Sequence, residues 1–235
     1  MVEELRPEVV SFHFGLPERA LLDRVVATGA MVISSATTVD EALWLESEGC
    51  DAIIAQGAEA GGHRGMFRTE DIATQVGTFS LVPQVVDAVK VPVIAAGGIG
   101  DARGIAAAFT LGASAVQLGT AYLFCPESTI AEPHREALLG AEAHQTALTN
   151  VFTGRPARGI VNRIMREVGP MSPLAPAFPL AGGAVAPLRT ASEPTGSADF
   201  MSLWSGQSAA LSRPFPAGQL TKRLAEEARA LLQLE

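Results

Sequence analysis

Short apolar runs alternate with amphipathic segments along the first half of the chain. Each run ends in small or polar residues and is followed by apolar positions at helical spacing. Strands are predicted at 9–15, 31–35, 51–55, 91–98 and 114–120. Because these strands are apolar on both faces and alternate with helices, they predict an α/β protein whose parallel sheet is covered by helices on both sides.

Helix ends are marked by the residues that commonly occupy them. Thr38, followed three residues later by Glu41, is typical of a capping box that opens a helix. Asp101 is a predicted N-cap for a helix over 102–111, and Gly112 is expected to stop that helix. Both helices follow predicted strands, as a series of βα units requires.

The character of the chain changes between residues 154 and 200, which contain seven of the 15 prolines. This segment predicts short helices and extended connections rather than further barrel strands. The final segment, 217–234, predicts an amphipathic helix packed on its own domain, with leucines at 220, 224, 231 and 232. We expect 1–235 to form one domain that includes both segments. Four arginines in the proline-rich segment favour solvated charge over a phosphate or partner contact: Arg155, Arg158, Arg163 and Arg166.

Composition favours a cytoplasmic enzyme with one sizeable core. Of the 235 residues 48% are hydrophobic and 18% charged, and the formal net charge is −8. That charge argues against a nucleic-acid surface or an anionic membrane surface, because both usually need a basic patch. No apolar run is long enough for a membrane span, and the acidic N-terminus does not resemble a signal peptide. Cys50 and Cys125 are expected to be buried small hydrophobic residues, and no metal site is expected.

Residues 56–65 form a glycine-rich loop, Gln-Gly-Ala-Glu-Ala-Gly-Gly-His-Arg-Gly, directly after the third predicted strand. Glycine lets a backbone approach a flat or phosphorylated ligand closely, and the imidazole of His63 can exchange a proton near neutral pH. The pattern favours a catalytic loop, although a surface turn with a solvated His-Arg pair would have the same composition. Arg64 is expected to be structural or to clamp the loop.

Small residues also end the fourth and fifth predicted strands, at Gly97-Gly98 and Gly119-Thr120. Backbone N–H groups at such turns bind anions without a lysine. In a (β/α) barrel the loops after the last two strands often hold a phosphate. A tight βα turn would also use these glycines, but two such turns in succession favour a phosphate site.

The remaining histidines and Trp204 have more than one interpretation. His13 ends the first predicted strand, where it either faces a cavity or serves as a hydrogen-bonded structural residue. His134 and His144 are expected to face solvent. Trp204 either covers a pocket or packs in the core.

The loop and the two glycine turns together resemble the nitronate monooxygenases, flavin-dependent enzymes formerly called 2-nitropropane dioxygenases. The order and spacing of Gly-Gly-His-Arg-Gly, Ala-Ala-Gly-Gly-Ile and Leu-Gly-Thr match, and Ser-Gly-Gln-Ser at 205–208 is similar to a segment near the flavin. The resemblance implies an FMN-binding TIM barrel with an added helical portion. It also implies site roles: His63 as catalytic base, Gln56, Gly62, Gly97 and Gln207 around the FMN, and Gly98, Gly119 and Thr120 at its phosphate.

The activity implied by the resemblance is oxidation of nitronates and nitroalkanes by O2 to carbonyl compounds and nitrite. A neutral His63 would take a proton from the α-carbon of a nitroalkane, a step that a preformed nitronate does not need. Two alternatives stay open. A flavin-dependent enoyl-acyl-carrier-protein reductase shares the Gly-Gly-His loop but needs NAD(P)H and tends to have an apolar residue where Arg64 stands. A barrel fragment that binds no flavin would be inactive.

The sequence departs from the family pattern in two places. Members begin with three βα units that have no counterpart here, which implies an incomplete (β/α)8-type barrel of five βα units with a C-terminal helical extension. We expect open strand edges at 9–12 and 115–118, so that the chain either self-associates through them, rearranges locally or holds FMN weakly. Weak FMN binding and low activity are predicted for this chain alone, both restored when the three units are supplied. In addition, Ser34-Ser35 stand where some relatives place a lysine near the flavin.

Overall fold

The computed structural model describes residues 1–233. These residues form two compact units. We call the first the sheet unit, which comprises 1–58, 65–96 and 107–117. We call the second the histidine unit, which comprises 59–64, 97–106 and the residues from Leu118 on.

The strands and helices alternate in the first half of the chain and become irregular in the second. The strands are β1 Val9–Phe12, β2 Met31–Ala36, β3 Ala52–Gln56, β4 Gly62–His63, β5 Val93–Ala96, β6 Ala115–Gln117, β7 Thr146–Thr149 and β8 Ala157–Ile160. The helices are α1 Val2–Leu5, α2 Arg19–Val26, α3 Val39–Ser47, α4 Thr78–Ala88, α5 Ala102–Thr110, α6 Thr120–Leu123, α7 Glu132–Leu139, α8 Arg163–Val168, α9 Ala181–Ser192 and α10 Ala217–Leu232. Within residues 1–233 no helix is long and apolar enough to cross a membrane.

The sheet unit contains a five-stranded parallel sheet with the order β1-β2-β3-β5-β6. All five predicted strands are confirmed, and so is the predicted parallel α/β arrangement. Most of the observed strands end before their apolar runs do, because the glycines at the ends of the runs leave the ladder and turn. Within the described residues β1 and β6 are the outer strands of this sheet.

Helices α3 and α4 pack on the central strands and bury an aliphatic core. α4 is not among the predicted elements, and it contains Pro83, a residue that usually argues against a helix interior. Apart from alanines, the aliphatic side chains of the sheet unit that are no more than 1% exposed are Val32, Leu45, Ile53, Ile54, Leu81, Val82 and Val85. Burial of this kind contributes ~1.5–3 kcal/mol for each large aliphatic side chain.

The start of α3 follows the predicted capping box only in part. The Thr38 hydroxyl accepts the backbone N–H of Glu41 at 3.2 Å, as expected of an N-cap. The Glu41 carboxylate is fully buried and holds other groups: one oxygen accepts Thr37 N–H at 2.6 Å and its hydroxyl at 2.7 Å. The other oxygen accepts Phe67 N–H at 2.7 Å and Arg68 N–H at 3.2 Å. Glu41 therefore fixes the chain that follows Gly65 as well as its own helix.

The predicted limits of α5 are close to the observed ones. The Asp101 carboxylate accepts the backbone N–H of Arg103 at 3.0 Å, which confirms the N-cap. Hydrogen bonding with Arg103 lowers the pKa of this carboxyl, so it stays ionised at the positive end of the helix. The helix ends at Thr110, and Gly112 at φ +94° is the stop that the sequence predicted.

The histidine unit contains a three-stranded antiparallel sheet in the order β4-β8-β7, which the sequence did not predict. β4 has only two residues in a glycine-rich stretch, and β8 lies in the proline-rich segment, so neither shows a strand pattern. The short helices predicted for 154–200 are present as α8 and α9.

The C-terminal helix is confirmed over Ala217–Leu232, and position 234 of the prediction lies outside the described residues. Leu220 and Leu224 are buried, whereas Leu231 is 54% exposed. The predicted apolar stripe therefore covers the first three turns of the helix and not its end.

Both cysteines are free and buried, as predicted. Burial raises the pKa of the Cys50 thiol to about 12, and the nearby Asp51 carboxylate adds to this. Cys50 therefore stays protonated and packs as a small apolar residue.

Candidate active site

The glycine-rich loop is closed at its base inside the sheet unit. Gln56, at the end of β3, is buried, and its side-chain oxygen accepts the backbone N–H of Gly65 at 2.8 Å. Gly57 N–H donates to Ala96 O at 2.9 Å, which ties the loop to the end of β5. A side chain at Gly57 would overlap Thr78, so glycine is required there by close packing. The first residues of the loop, Gln56 and Gly57, are therefore held in place by hydrogen bonds where the loop leaves β3.

His63 belongs to the histidine unit, where β4 pairs it with Ala157 of β8. Its Nε2 atom lies 2.9 Å from the Thr153 hydroxyl oxygen. Its ring centroid lies 5.5 Å from that of Trp204 and 6.1 Å from that of Phe178, which it meets at 81°. The half-buried imidazole therefore contacts a hydroxyl and two aromatic rings, an arrangement that orients it without removing it from solvent.

Trp204 is itself fixed from two directions. Its ring packs edge-to-face on Phe152 at 5.5 Å, and its carbonyl oxygen lies 3.0 Å from Nε2 of His134. The sequence left two roles open for Trp204, covering a pocket or packing in the core. In the structure its ring packs on Phe152 and also contacts one side of the His63 ring.

The prediction that His134 faces solvent was wrong, whereas His144 is exposed as predicted. His134 is only 8% exposed because it lies on the inward side of α7, and burial lowers its pKa. The histidine is therefore neutral near pH 7 and donates its Nε2 proton to the Trp204 carbonyl.

A second group of predicted residues meets around Glu59 in the histidine unit. The backbone N–H of Gln207 donates to Glu59 O at 3.0 Å, and Gly206 N–H donates to the Thr120 hydroxyl at 2.8 Å. A Cβ atom at Gly61 would lie 2.5 Å from Gly206 N. The structure thus brings the loop, Thr120 and the 205–208 segment together, although they are far apart in the chain.

The glycine turns leave their backbone accessible. Gly97 and Gly98 have φ values of +102° and +71°, a region that side chains disfavour. Gly98 lies against the loop, since its Cβ would be 3.2 Å from Cβ of Glu59. Gly119 is exposed, and a Cβ atom there would meet nothing within 4 Å. This arrangement fits an anion approached by backbone N–H groups rather than by side chains.

The arginines do not all behave as predicted. Arg158 is 8% exposed, so the prediction of solvated charge was wrong for it, whereas Arg163 and Arg166 are exposed as expected. Arg158 lies in β8 opposite Gly62, and one guanidinium nitrogen donates to the Thr146 hydroxyl at 3.2 Å. Burial lowers the pKa of Arg158, and the Glu59 carboxylate opposes that shift.

Arg64 is fully buried, and its backbone N–H donates to Pro156 O at 2.9 Å. A guanidinium removed from solvent supports the structural role predicted for it. Arg155 is half-buried, and its guanidinium lies 5.5 Å from the Phe178 ring centroid.

His13 lies in the sheet unit, and its Nδ1 atom is 3.1 Å from the Ser35 hydroxyl. A Cβ atom at Gly65 would lie 2.9 Å from the His13 ring. Of the two roles that the sequence left open, the hydrogen-bonded one has direct structural support.

Sequence reasoning missed Thr153 and Phe178 as neighbours of His63. Both lie in or beside the proline-rich segment, 90 residues or more from His63 along the chain. No local pattern marks either residue, and only the tertiary fold brings them to the imidazole.

Comparison with known proteins places this chain in a family. A family model described as nitronate monooxygenase matches residues 1–227. The chain belongs to the nitronate monooxygenase family.

The family relatives include a nitronate monooxygenase of Pseudomonas aeruginosa, 47% identical over 230 residues that make up 97% of this chain. A nitronate monooxygenase of Paraburkholderia phytofirmans is 42% identical over 98% of this chain. The matches cover 66% and 63% of those two relatives, so the chain spans slightly less than two thirds of their length.

Two solved structures are similar over nearly the whole chain. A nitroalkane oxidase from Streptomyces ansochromogenes has a TM-score of 0.92 and 44% identity, covering 99% of this chain and 67% of its own. FabK from Thermotoga maritima has a TM-score of 0.77 and 31% identity, covering 99% of this chain and 71% of its own. The family resemblance inferred from the glycine motifs is confirmed.

Proposed function

We propose that this chain takes part in the FMN-dependent oxidation of nitronates and nitroalkanes by O2 to carbonyl compounds and nitrite. The observation that carries the proposal is the setting of His63, an imidazole bonded through Nε2 to Thr153 and held between Trp204 and Phe178. The names of the relatives, nitronate monooxygenase and nitroalkane oxidase, support the same class of substrate.

The backbone of the histidine unit fits the phosphate of FMN. Gly98, Gly119 and Thr120 would hold it through N–H groups, since the two glycines leave no side chain in the way. Gly62, Gly97 and Gln207 would lie along the flavin beside the loop. The role of Gln56, which lies in the sheet unit, stays a prediction from the resemblance.

His63 would act as the general base toward a neutral nitroalkane. The α C–H bond breaks, the proton moves to an imidazole nitrogen, and the electron pair moves into the nitro group to give the nitronate. The resulting imidazolium can donate a hydrogen bond to a nitronate oxygen. FMN, when bound, supplies the redox chemistry that oxidises the nitronate with O2. Trp204 and Phe178 would limit water around the imidazole and keep its ring plane fixed.

The wider architecture proposed is a TIM-barrel-type domain, with 154–200 and α10 packed on it. Within the described residues β1 and β6 each pair on one side only, so further strands or a second copy of the chain would satisfy their outer backbone groups. Val9 and Met31, which are 45% and 50% exposed, add apolar surface near β1. Sedimentation velocity at several concentrations tests whether the chain self-associates.

The decisive experiment is an absorbance spectrum of the purified chain with added FMN, followed by a nitrite assay on propionate 3-nitronate. For this chain alone we expect a weak bound-flavin spectrum and slow O2-dependent nitrite release that needs no NAD(P)H. Activity that requires NAD(P)H and releases no nitrite would favour the enoyl-acyl-carrier-protein reductase. A protein that shows no flavin absorbance after unbound FMN has been removed would favour an inactive fragment.

Gly119→Val tests the phosphate site separately. Because a Cβ atom at Gly119 meets nothing within 4 Å and φ is −112°, the substitution should leave the fold intact. The added side chain should block close approach of a phosphate and weaken FMN binding more than binding of riboflavin, which lacks that phosphate. Unchanged FMN affinity in a folded Gly119→Val protein would contradict the assignment.

A further inference from the structure

The Thr153 hydroxyl makes contacts on two sides. Its oxygen lies 2.9 Å from Nε2 of His63. The hydroxyl also donates to the carbonyl oxygen of Arg155 at 3.3 Å. The backbone N–H of Arg155 in turn donates to the hydroxyl oxygen, with 3.4 Å between nitrogen and oxygen. Thr153 therefore connects the imidazole to the backbone of its own turn.

The turn that carries Thr153 is closely packed against the segment that contains Pro176 and Phe178. Gly154 has φ +92°, and a side chain there would overlap the backbone of Pro176 and Phe178. Its N–H donates to Asn150 O at 2.8 Å. The turn thus packs directly on the segment that carries Phe178, and the same Phe178 ring meets the His63 ring at 81°. Thr153 and Phe178 approach the imidazole from one tightly packed element.

Only one direction of the hydrogen bond between Thr153 and His63 satisfies every contact of the Thr153 hydroxyl. A threonine hydroxyl has one hydrogen to donate and two lone pairs to accept with. When the hydrogen goes to Arg155 O, the lone pairs face two donors, Arg155 N–H and Nε2–H of His63. In this arrangement all three contacts of the hydroxyl are satisfied, and the neutral imidazole carries its proton on Nε2.

We propose that Thr153 is a positioning residue that holds neutral His63 in the Nε2–H tautomer, so that Nδ1 is the atom that takes the substrate proton. This inference rests on the proposed function for its catalytic part. The α C–H bond of the nitroalkane breaks, an Nδ1–H bond forms, and the electron pair moves into the nitro group. The Nε2–H bond to Thr153 persists through the step, because both ring nitrogens carry protons in the imidazolium.

The tautomer is measured directly by ¹⁵N NMR of histidine-labelled protein, with and without added FMN, at a pH where His63 is neutral. The His63→Gln variant identifies the His63 signals. We expect the ring nitrogen shifts of the Nε2–H tautomer in the wild type, and a mixture or the opposite tautomer in Thr153→Val, which keeps the shape but lacks the hydroxyl. Thr153→Ser should restore the wild-type pattern. An Nδ1–H tautomer in the wild type, or an unchanged tautomer in Thr153→Val, would overturn the proposal.

Kinetics tests the catalytic part. With neutral nitroalkane, Thr153→Val should lose roughly 10- to 100-fold in kcat/KM, in the range of lost partners that orient a catalytic or ligating histidine, and Thr153→Ser should regain most of it. With preformed nitronate the loss should be much smaller, since no proton is taken. Equal loss on both substrates would show that Thr153 only supports packing. The NMR readout needs no turnover, so failure of the proposed function and failure of the tautomer assignment give different results.

Discussion

The sheet unit is held by parallel strand ladders and aliphatic side chains, whereas the histidine unit depends on short antiparallel strands and on hydrogen bonds between distant segments. In the sheet unit, Ile53 and Ile54 of β3 are almost completely buried within a five-stranded ladder. In the histidine unit, the imidazole contacts Thr153 and Trp204, and a backbone N–H of residue 206 reaches Thr120. The regular structure thus lies in the sheet unit, whereas His63, the proposed base, lies in the irregular structure of the histidine unit.

The contrast predicts that chemistry and stability respond to different substitutions. A substitution of His63 should remove activity and leave the folded structure intact. A substitution of a buried polar residue inside the sheet unit should lower the stability of the fold instead. Four predictions test this separation, in order of decreasing expected effect.

The largest effect is expected for His63→Ala. If His63 is the base, the variant should lose ~10²–10⁴ in the rate of proton abstraction from a neutral nitroalkane. Activity on a preformed nitronate should fall far less. Stopped-flow reduction of the flavin with each substrate measures both rates. Equal loss with both substrates would contradict the base assignment, and His63→Gln, which keeps a polar group near Thr153, controls for lost packing.

The two regions also differ in how far the sequence predicts them. All five strands of the sheet unit follow from apolar runs, because each run forms its own local pattern and parallel sheets are apolar on both faces. His63 itself was predicted from the glycine loop. Thr153 and Phe178 were not, because their proximity to His63 depends on pairing between β4 and β8, and a two-residue strand has no readable period.

Burial of polar groups was the other failure of sequence reasoning. His134 and Arg158 were expected in solvent, since their residue types are mostly exposed. In the structure each has an acceptor on another element, the Trp204 carbonyl for His134 and the Thr146 hydroxyl for one guanidinium nitrogen of Arg158. Such partners come from other elements and leave no trace in the local pattern.

The second prediction concerns the buried carboxylate of Glu41, which belongs to α3 in the sheet unit. Glu41→Ala would leave backbone N–H groups of Thr37, Phe67 and Arg68 without their acceptor. We expect a loss of about 3 kcal/mol or more in the free energy of unfolding, because the N–H and the hydroxyl of Thr37 are fully buried and each unsatisfied buried donor costs ~1–3 kcal/mol. Urea denaturation followed by circular dichroism measures it.

The matched control is Glu46→Ala in the same helix. Glu46 accepts the backbone N–H groups of Lys90 and Val91 at a half-buried position, where water can replace the carboxylate more readily than at Glu41. Its loss should cost much less than that of Glu41. Similar losses in the two variants would mean that burial of Glu41 does not determine its contribution.

The third prediction compares two glycines of the histidine unit. Gly61→Ala places a Cβ atom 2.5 Å from Gly206 N, so backbone must shift, and we expect a loss of ~1–3 kcal/mol, as is typical of overpacking. Gly119→Ala is the matched control, since its Cβ meets nothing within 4 Å. Thermal unfolding of the two variants should differ clearly. Equal midpoints would show that the loop and the 205–208 segment are not tightly coupled.

The smallest effect is a pH dependence from His134. Burial lowers its pKa in the folded chain relative to the unfolded chain, so the unfolded state binds more protons as the pH falls. Stability from this group is therefore fully present above the unfolded value of about 6.5 and is lost progressively as the pH falls through the lower folded value. The effect is modest because the hydrogen bond to the Trp204 carbonyl opposes the shift.

His134→Gln keeps a side-chain donor for that carbonyl but cannot titrate. The difference in unfolding free energy between wild type and His134→Gln should shrink or reverse from pH 7.5 to pH 5, while all other titrating groups are common to both proteins. A difference that is constant across this range would show that protonation of His134 is not coupled to folding, and would leave Trp204, and the His63 ring beside it, anchored independently of pH.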